Sequence, residues 1–201
     1  MSHHAALRII REEHAAVSAV LRSLLAMLRE GPADEPERFF DVLRAMLFYI
    51  DEFPERLHHP KESDLLFPRI GRVRPELLPV IHALEADHMK GEPMVRELQH
   101  HLLGWELIGE SRRAAFEQRA QDYVRFYLKH MATEEAELLP AAEQSLTDSD
   151  WEVLDAAFGS ERDPLASGVR DPSFDRLFTR IVLTAPAPIG VGQPFEHAHA
   201  H

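Results

Sequence analysis

The chain has 201 residues, 45% of them apolar and 28% charged, which suits one domain with a sizeable core. Cysteine is absent, so no disulfide framework, thiol nucleophile or cysteinate metal site is available. A formal charge of −12 disfavours nucleic acid and anionic membrane surfaces, no run resembles a membrane span, and no signal-peptide pattern opens the chain, so a cytoplasmic setting is the expectation.

The first segment is expected to run as a helix from an N-cap at Ser2 to about Glu30, with Gly31-Pro32 ending it. Leu7, Ile10, His14, Val17, Leu21, Leu24 and Leu28 recur in steps of three and four, the seam of a bundle helix. The second begins near Pro36 and carries Phe39, Leu43, Met46, Ile50, Phe53 and Leu57; Pro54 and Pro60 predict kinks or a break before it ends at Pro68. The third spans about Pro75 to Leu103, with Ile81, Leu84, His88, Gly91, Val95, Leu98 and Leu102 in its seam. The fourth opens at Ser111 and runs to about Glu143, with Phe116, Ala120, Tyr123, Tyr127, His130, Glu134 and Leu138. Short linkers predict antiparallel neighbours. The fold class is therefore all-α, an up-down-up-down four-helix bundle over residues 1–145. Residues 146–201 are expected to add a helical appendage to the same domain, with short helices after Thr147 and after Asp171-Pro172, a non-helical strap at 185–190 and a flexible tail carrying His197, His199 and His201.

Thirteen histidines are an excess, and those in the bundle are not scattered. Burying an unpaired imidazole or carboxylate in a seam costs on the order of several kcal/mol. A single seam histidine is more often satisfied by a neighbour, yet here every helix supplies one or more polar seam residues: His14, then His58, His59 and Glu62, then His88, then His130 and Glu134. At about 1.5 Å rise per residue, alternating helix directions bring all four sets to one level. His58 and Glu62, like His130 and Glu134, are four apart and share a helix face. Five imidazoles and two carboxylates suit two divalent first-row cations, with iron, manganese, zinc and nickel all compatible. Two glutamates offset only half of four positive charges, leaving oxide, hydroxide or another anion to bridge the pair.

These residues resemble the hemerythrin family of histidine-rich cation-binding bundles. The matching elements are Glu13-His14, His58-His59-Pro60-Lys61-Glu62 followed by Leu65-Leu66-Phe67-Pro68, Glu85-x-x-His88, and His130-Met131-x-x-Glu134-Glu135 followed by Leu138-Leu139-Pro140, over residues 5–143. The tail, through Ala185-Pro186-x-Pro188-Ile189-Gly190, resembles an extension of bacterial members. The resemblance implies two iron ions, one held by His14 and His58, the other by His59, His88 and His130, with Glu62 and Glu134 bridging. Two departures from the oxygen-carrying members stand out. Leu84 occupies the place of a third-helix histidine, a role the resemblance passes to His59, and the last carboxylate is Glu134 at four residues from its histidine rather than an aspartate at five.

The remaining polar candidates have blander readings. His82, six residues before His88, falls on another face; His100 and His101 lie near a helix end on the surface; Glu85 is an outlying or surface group. Tyr123 and Tyr127 read first as core, with a hydroxyl reaching the site as the minority reading. No activated nucleophile or glycine-rich phosphate loop stands out. The leading functional expectation is a non-enzymatic di-iron protein binding dioxygen or a related small ligand, such as nitric oxide or peroxide, for storage or sensing. A peroxidase-like or iron-sulfur repair enzyme, and a metal-responsive regulatory module, are the alternatives; a homodimer through the apolar tail is compatible.

Overall fold

The computed structural model describes residues 4–32, 34–160, 162–167 and 175–190. Among these every regular element is helical and no strand occurs. Helix α1 spans Ala5–Glu30. Helix α2 is one continuous run over residues 36–73, and α3 spans Leu78–Ile108 after a single 3₁₀ turn at Pro75–Leu77. Helix α4 covers residues 113–145. Three shorter helices follow: α5 Asp148–Ser160, α6 Pro164–Ser167 and α7 Asp175–Thr184.

Contacts between helix ends give the directions. The Arg113 guanidinium at the start of α4 donates to the Leu28 carbonyl at the end of α1, and Arg44 early in α2 pairs with Glu106 late in α3. Arg74, just past α2, donates to Ser145 at the end of α4. Each helix is thus opposed to its neighbours in sequence, as the short linkers imply. Glycines at φ +74° (Gly31) and +102° (Gly109) close α1 and α3 in the left-handed region that other residues avoid. The third helix therefore passes through Gly104 to Ile108, further than its composition suggests, because only Gly109 adopts a helix-ending conformation.

The prolines act differently from the expected break. Three stretches, Asp51–His58, Glu62–Leu66 and Glu134–Leu138, are wound as π-helix. Each ends two residues before a proline: Pro60, Pro68 and Pro140. A proline ring clashes with the carbonyl four residues back. The wider turn moves that carbonyl aside and substitutes a five-residue bond, as from the His59 N–H to Pro54 O and from Phe67 to Glu62 O. The helix continues, rotated at three places, and His58, Glu62 and Glu134 all lie within these turns.

The apolar core is split into two clusters. One contains Val17, Leu21, Leu24, Phe39, Leu43, Phe53, Val95, Trp105, Phe116 and Tyr127; the other contains Leu7, Ile10, Leu66, Phe67, Leu84 and Leu138. On every long helix the polar seam residues fall between the two, as with His14 between Ile10 and Val17 and His88 between Leu84 and Val95. The appendage caps both clusters: Trp151, Leu154 and Phe158 of α5 pack on one, Phe178 and Ile181 of α7 on the other. His4, the residue before α1, stacks on Trp151 with ring centres 4.2 Å apart. Ser2 and His3, Asp171-Pro172 and the terminal histidines lie outside the described residues.

Candidate metal centre

The layer between the clusters gathers imidazole nitrogens around two carboxylates. Glu62 Oε1 is 3.1 Å from His58 Nε2 and 3.9 Å from His14 Nε2, and its Oε2 is 3.5 Å from His88 Nε2. Glu134 Oε1 is 3.2 Å from His130 Nε2 and 3.7 Å from His88 Nε2, and its Oε2 is 3.3 Å from His14 Nε2. The imidazoles also approach each other, His14 and His58 at 3.2 Å and His88 and His130 at 3.0 Å between Nε2 atoms. Both glutamates are buried, and none of their four oxygens makes an aligned hydrogen bond. Buried carboxylates normally have such partners. Four imidazole nitrogens, paired only with one another, and four carboxylate oxygens without hydrogen-bond partners converge here, a donor set for borderline divalent cations. Ligand atoms of His14, His58 and Glu62, of Glu62, His88, His130 and Glu134, and of His59, His88 and His130 each fall within 4.8 Å of one another.

The outer imidazole nitrogens are held by residues that the sequence did not single out. His58 Nδ1 donates to Glu13 Oε2 at 2.7 Å and His14 Nδ1 to Glu135 Oε1 at 3.0 Å. His59 Nδ1 donates to Glu55 Oε2 at 3.1 Å, and His88 Nδ1 meets Ser63 Oγ at 2.9 Å. His130 Nδ1 has only Asp87, 3.7 Å away, and no hydrogen bond. An Nδ1–H so engaged leaves the Nε2 lone pair facing inward and fixes the ring. The support reaches the appendage: the Asp163 N–H donates to Glu13 Oε1, and Tyr49 donates its hydroxyl to the Asp163 carboxylate. The Glu55 signal was present four residues before His59; the others come from different helices.

His59 is set apart. Its Nε2 receives the Tyr127 hydroxyl at 2.6 Å, and its ring stacks on His88 at 4.0 Å. Tyr123 donates to Glu55 Oε1 at 3.0 Å, so Tyr127, His59, Glu55 and Tyr123 form one chain of contacts. Gly91 makes room for it: a Cβ there would stand 2.5 Å from Glu55 Oε1. Both tyrosines are buried, Tyr127 with its hydroxyl at the site. His82 and His100 are exposed, His101 lies beside Glu97, and Glu85 is half-buried; none of them reaches the layer.

Electrostatics without a cation reflect the same crowding. Burial alone would lower His14, but contacts with Glu134 and Glu135 outweigh it and carry the imidazole up to about 9. His88 rises to about 9 in the same way, against burial, through Glu134 and Glu62. His58 rises well above its usual value through Glu62 and Glu13. Burial would raise the two glutamates and their proximity would raise Glu134 further; the imidazolium groups reverse this, leaving Glu62 well below the usual range and Glu134 at about 2. Protons on the histidines neutralise the carboxylates where cations could. His59 is the exception: burial and the charge of His88 hold it well below its usual value, and neutral.

A cavity of about 10 Å³, the room of roughly one water-sized ligand, adjoins the layer. Val17, Phe53, Leu57, His58, His59 and Tyr127 line it, together with the charged groups of Glu13, Lys61 and Asp163.

Such a layer, in a four-helix bundle with its histidines oriented by outer carboxylates, defines a cation-binding helical domain. The sequence profile described as Hemerythrin HHE cation binding domain matches residues 5–142, more than half of the chain. The chain belongs to that family. No curated protein matches it. No helix among the described residues is long and apolar enough to cross a membrane.

Proposed function

We propose that this protein binds two iron ions in the polar layer and uses them to hold a small diatomic ligand, dioxygen or nitric oxide, for storage or sensing. His14 and His58 would serve one ion and His88 and His130 the other, with Glu62 and Glu134 between them and His59 joining the second. The observation that carries this reading is the pair of buried glutamates whose four oxygens face imidazole nitrogens without hydrogen-bond alignment. Bound there, ferrous ions would supply electrons and an open coordination position, with oxide or hydroxide completing the charge balance. Manganese or zinc would satisfy the same donors.

The chain's own residues favour binding over turnover. The adjoining cavity of about 10 Å³ has room for a ligand of about water size and for no organic substrate. Val17, Phe53, Leu57 and Met131 supply an apolar part of its wall, which limits the water that can reach a reduced site. Histidine-rich ligation keeps the negative charge on the site low, which supports the ferrous state. A second reading, a redox enzyme of peroxidase-like or iron-sulfur repair type, draws on the Tyr127–His59–Glu55–Tyr123 chain, which could pass a proton to the site.

Elemental analysis of the protein purified without added metal is expected to give two iron ions per chain; less than one, with the helical fold intact, overturns the reading. The ferrous protein exposed to air and returned to nitrogen should cycle its visible spectrum. A one-way change to the ferric state, with peroxide consumed over many cycles, would favour the enzyme.

A further inference from the structure

His59 differs from the other four histidines of the layer in a way that has a chemical consequence. Those four direct Nε2 at Glu62 or Glu134 within 3.9 Å. His59 makes its ion-pair contact through Nδ1 with Glu55, and its Nε2 lone pair is taken by the Tyr127 hydroxyl at 2.6 Å. One lone pair serves one partner at a time. His59 groups with His88 and His130 as a possible ligand set, and with Nδ1 held by Glu55 the nitrogen it can offer a cation is Nε2, which requires the hydroxyl to let go.

The hydroxyl then needs another acceptor. Tyr127 is 2% exposed, so no bulk water replaces His59. Both Tyr127 and His59 border the small cavity, and the two carboxylates that also line it, Glu13 and Asp163, already accept from His58 and Tyr49. A buried donor left unpaired is costly, and a ligand atom with an accepting lone pair is the remedy the cavity admits.

We propose that Tyr127 is a specificity-determining residue that works by exchange: its hydroxyl caps His59 in the metal-free protein and turns to the small ligand when His59 turns to the cation. This rests on the two-ion reading above. The exchange has two opposite consequences. The cap competes with the second cation, and the released donor rewards ligands ending in an oxygen or nitrogen acceptor over those with weak acceptors.

The test uses the full chain with Tyr127→Phe, which keeps the ring and removes the donor. Cobalt(II) is titrated into metal-free protein against a chelator, and azide is titrated into the ferric two-iron protein. Relative to wild type, the variant should bind the second cobalt ion roughly tenfold more tightly and azide roughly tenfold more weakly. General damage to the fold would weaken both, so opposite shifts are the signature. Weaker cobalt binding would make the phenol a ligand rather than a cap and overturns the exchange, as does unchanged azide affinity. If Tyr127→Phe does not fold, Tyr127→Met, also without a donor, carries the same expectation. Wild type failing to take two ions defeats the two-ion reading itself; wild type taking two while the variant is indistinguishable defeats only the exchange.

Discussion

The two halves of the polar layer use the same residue types and are braced differently. On one side His14 and His58 each donate Nδ1 to a carboxylate, Glu135 at 3.0 Å and Glu13 at 2.7 Å, and Glu13 is itself tied to the appendage through Asp163. On the other, only His59 has a carboxylate, Glu55 at 3.1 Å; His88 has a hydroxyl, Ser63, and His130 Nδ1 has no hydrogen bond, with Asp87 3.7 Å away. A carboxylate partner makes an imidazole a stronger electron donor and locks its ring; a hydroxyl does both less. The difference teaches that ligand count alone does not rank the two positions. The half with fewer histidines has a carboxylate on every outer nitrogen, while the other contains the histidine that can change partners.

The largest expected effect is on what the halves share. Glu62 lies between them, so Glu62→Ala should lower cation affinity more than a hundredfold and reduce the stoichiometry below two ions per chain, measured by elemental analysis after gel filtration. Retention of two ions would remove the bridging role from Glu62. Next come the braces. Glu13→Gln should cost tenfold to a hundredfold in affinity for one ion, and Ser63→Ala only a few-fold for the other, as read by chelator competition. A larger loss from Ser63→Ala would invert the comparison.

How much of this the sequence discloses follows from where each partner sits. The seam residues His14, His58, Glu62, His88, His130 and Glu134 are legible because heptad position and depth are properties of single helices. Their outer partners are not. Glu13 adjoins His14 yet serves His58, and Glu135 adjoins Glu134 yet serves His14, so each brace crosses between helices. Such crossings depend on helix rotation, which the π turns set. Pro60, Pro68 and Pro140 announce a disturbance, but composition does not say that the helix will widen rather than break. Asp163 reaches Glu13 from 150 residues away, beyond any periodic signal. His59 was legible as a histidine at the right depth and Tyr127 as a seam residue of the fourth helix, but that the hydroxyl of one meets the ring of the other was not.

A smaller effect separates the metal-free protein from the loaded one. His14 and His88 rise from 6.5 to about 9 on folding, so they stabilise the metal-free fold fully below pH 6.5 and lose that contribution as the pH climbs through 9. Burial raises Glu55 from 4.5 to about 7 and Asp163 from 3.8 to about 6, which adds loss in the same direction at lower pH. Glu134 is depressed from 4.5 to about 2, so its contribution is present above pH 4.5 and lost on acidification towards 2. His59, held well below 6.5, works the other way and costs stability as the pH falls below 6.5. Melting temperatures of the metal-free protein should therefore peak between about pH 5 and 6.5 and fall on both sides. Cation affinity should instead rise between pH 6 and 9, because neutral imidazoles are the ligands. A metal-free protein whose melting temperature climbs from pH 6.5 to 9 would contradict the imidazolium–carboxylate arrangement.

The smallest effect tests whether the adjustable half depends on its own brace. Gly91 faces Glu55, and a Cβ there would approach Oε1 to 2.5 Å and Oε2 to 2.7 Å. Gly91→Ala gains about 1 kcal/mol of helix propensity but forces the Glu55 carboxylate to move. That carboxylate is the tip of a flexible side chain, so it can shift, at the expense of its bonds from Tyr123 and His59. The two terms nearly cancel in stability, and the melting temperature should change by only a few degrees. The functional change is confined to one side. His59, without its partner on Nδ1, loses its fixed orientation, so the second ion should bind a few-fold more weakly. The ion at His14 and His58 should be unaffected, since Glu13 and Glu135 lie on the other side of the layer. Equal weakening of both ions would mean that the halves are mechanically one unit and that their different braces do not divide them.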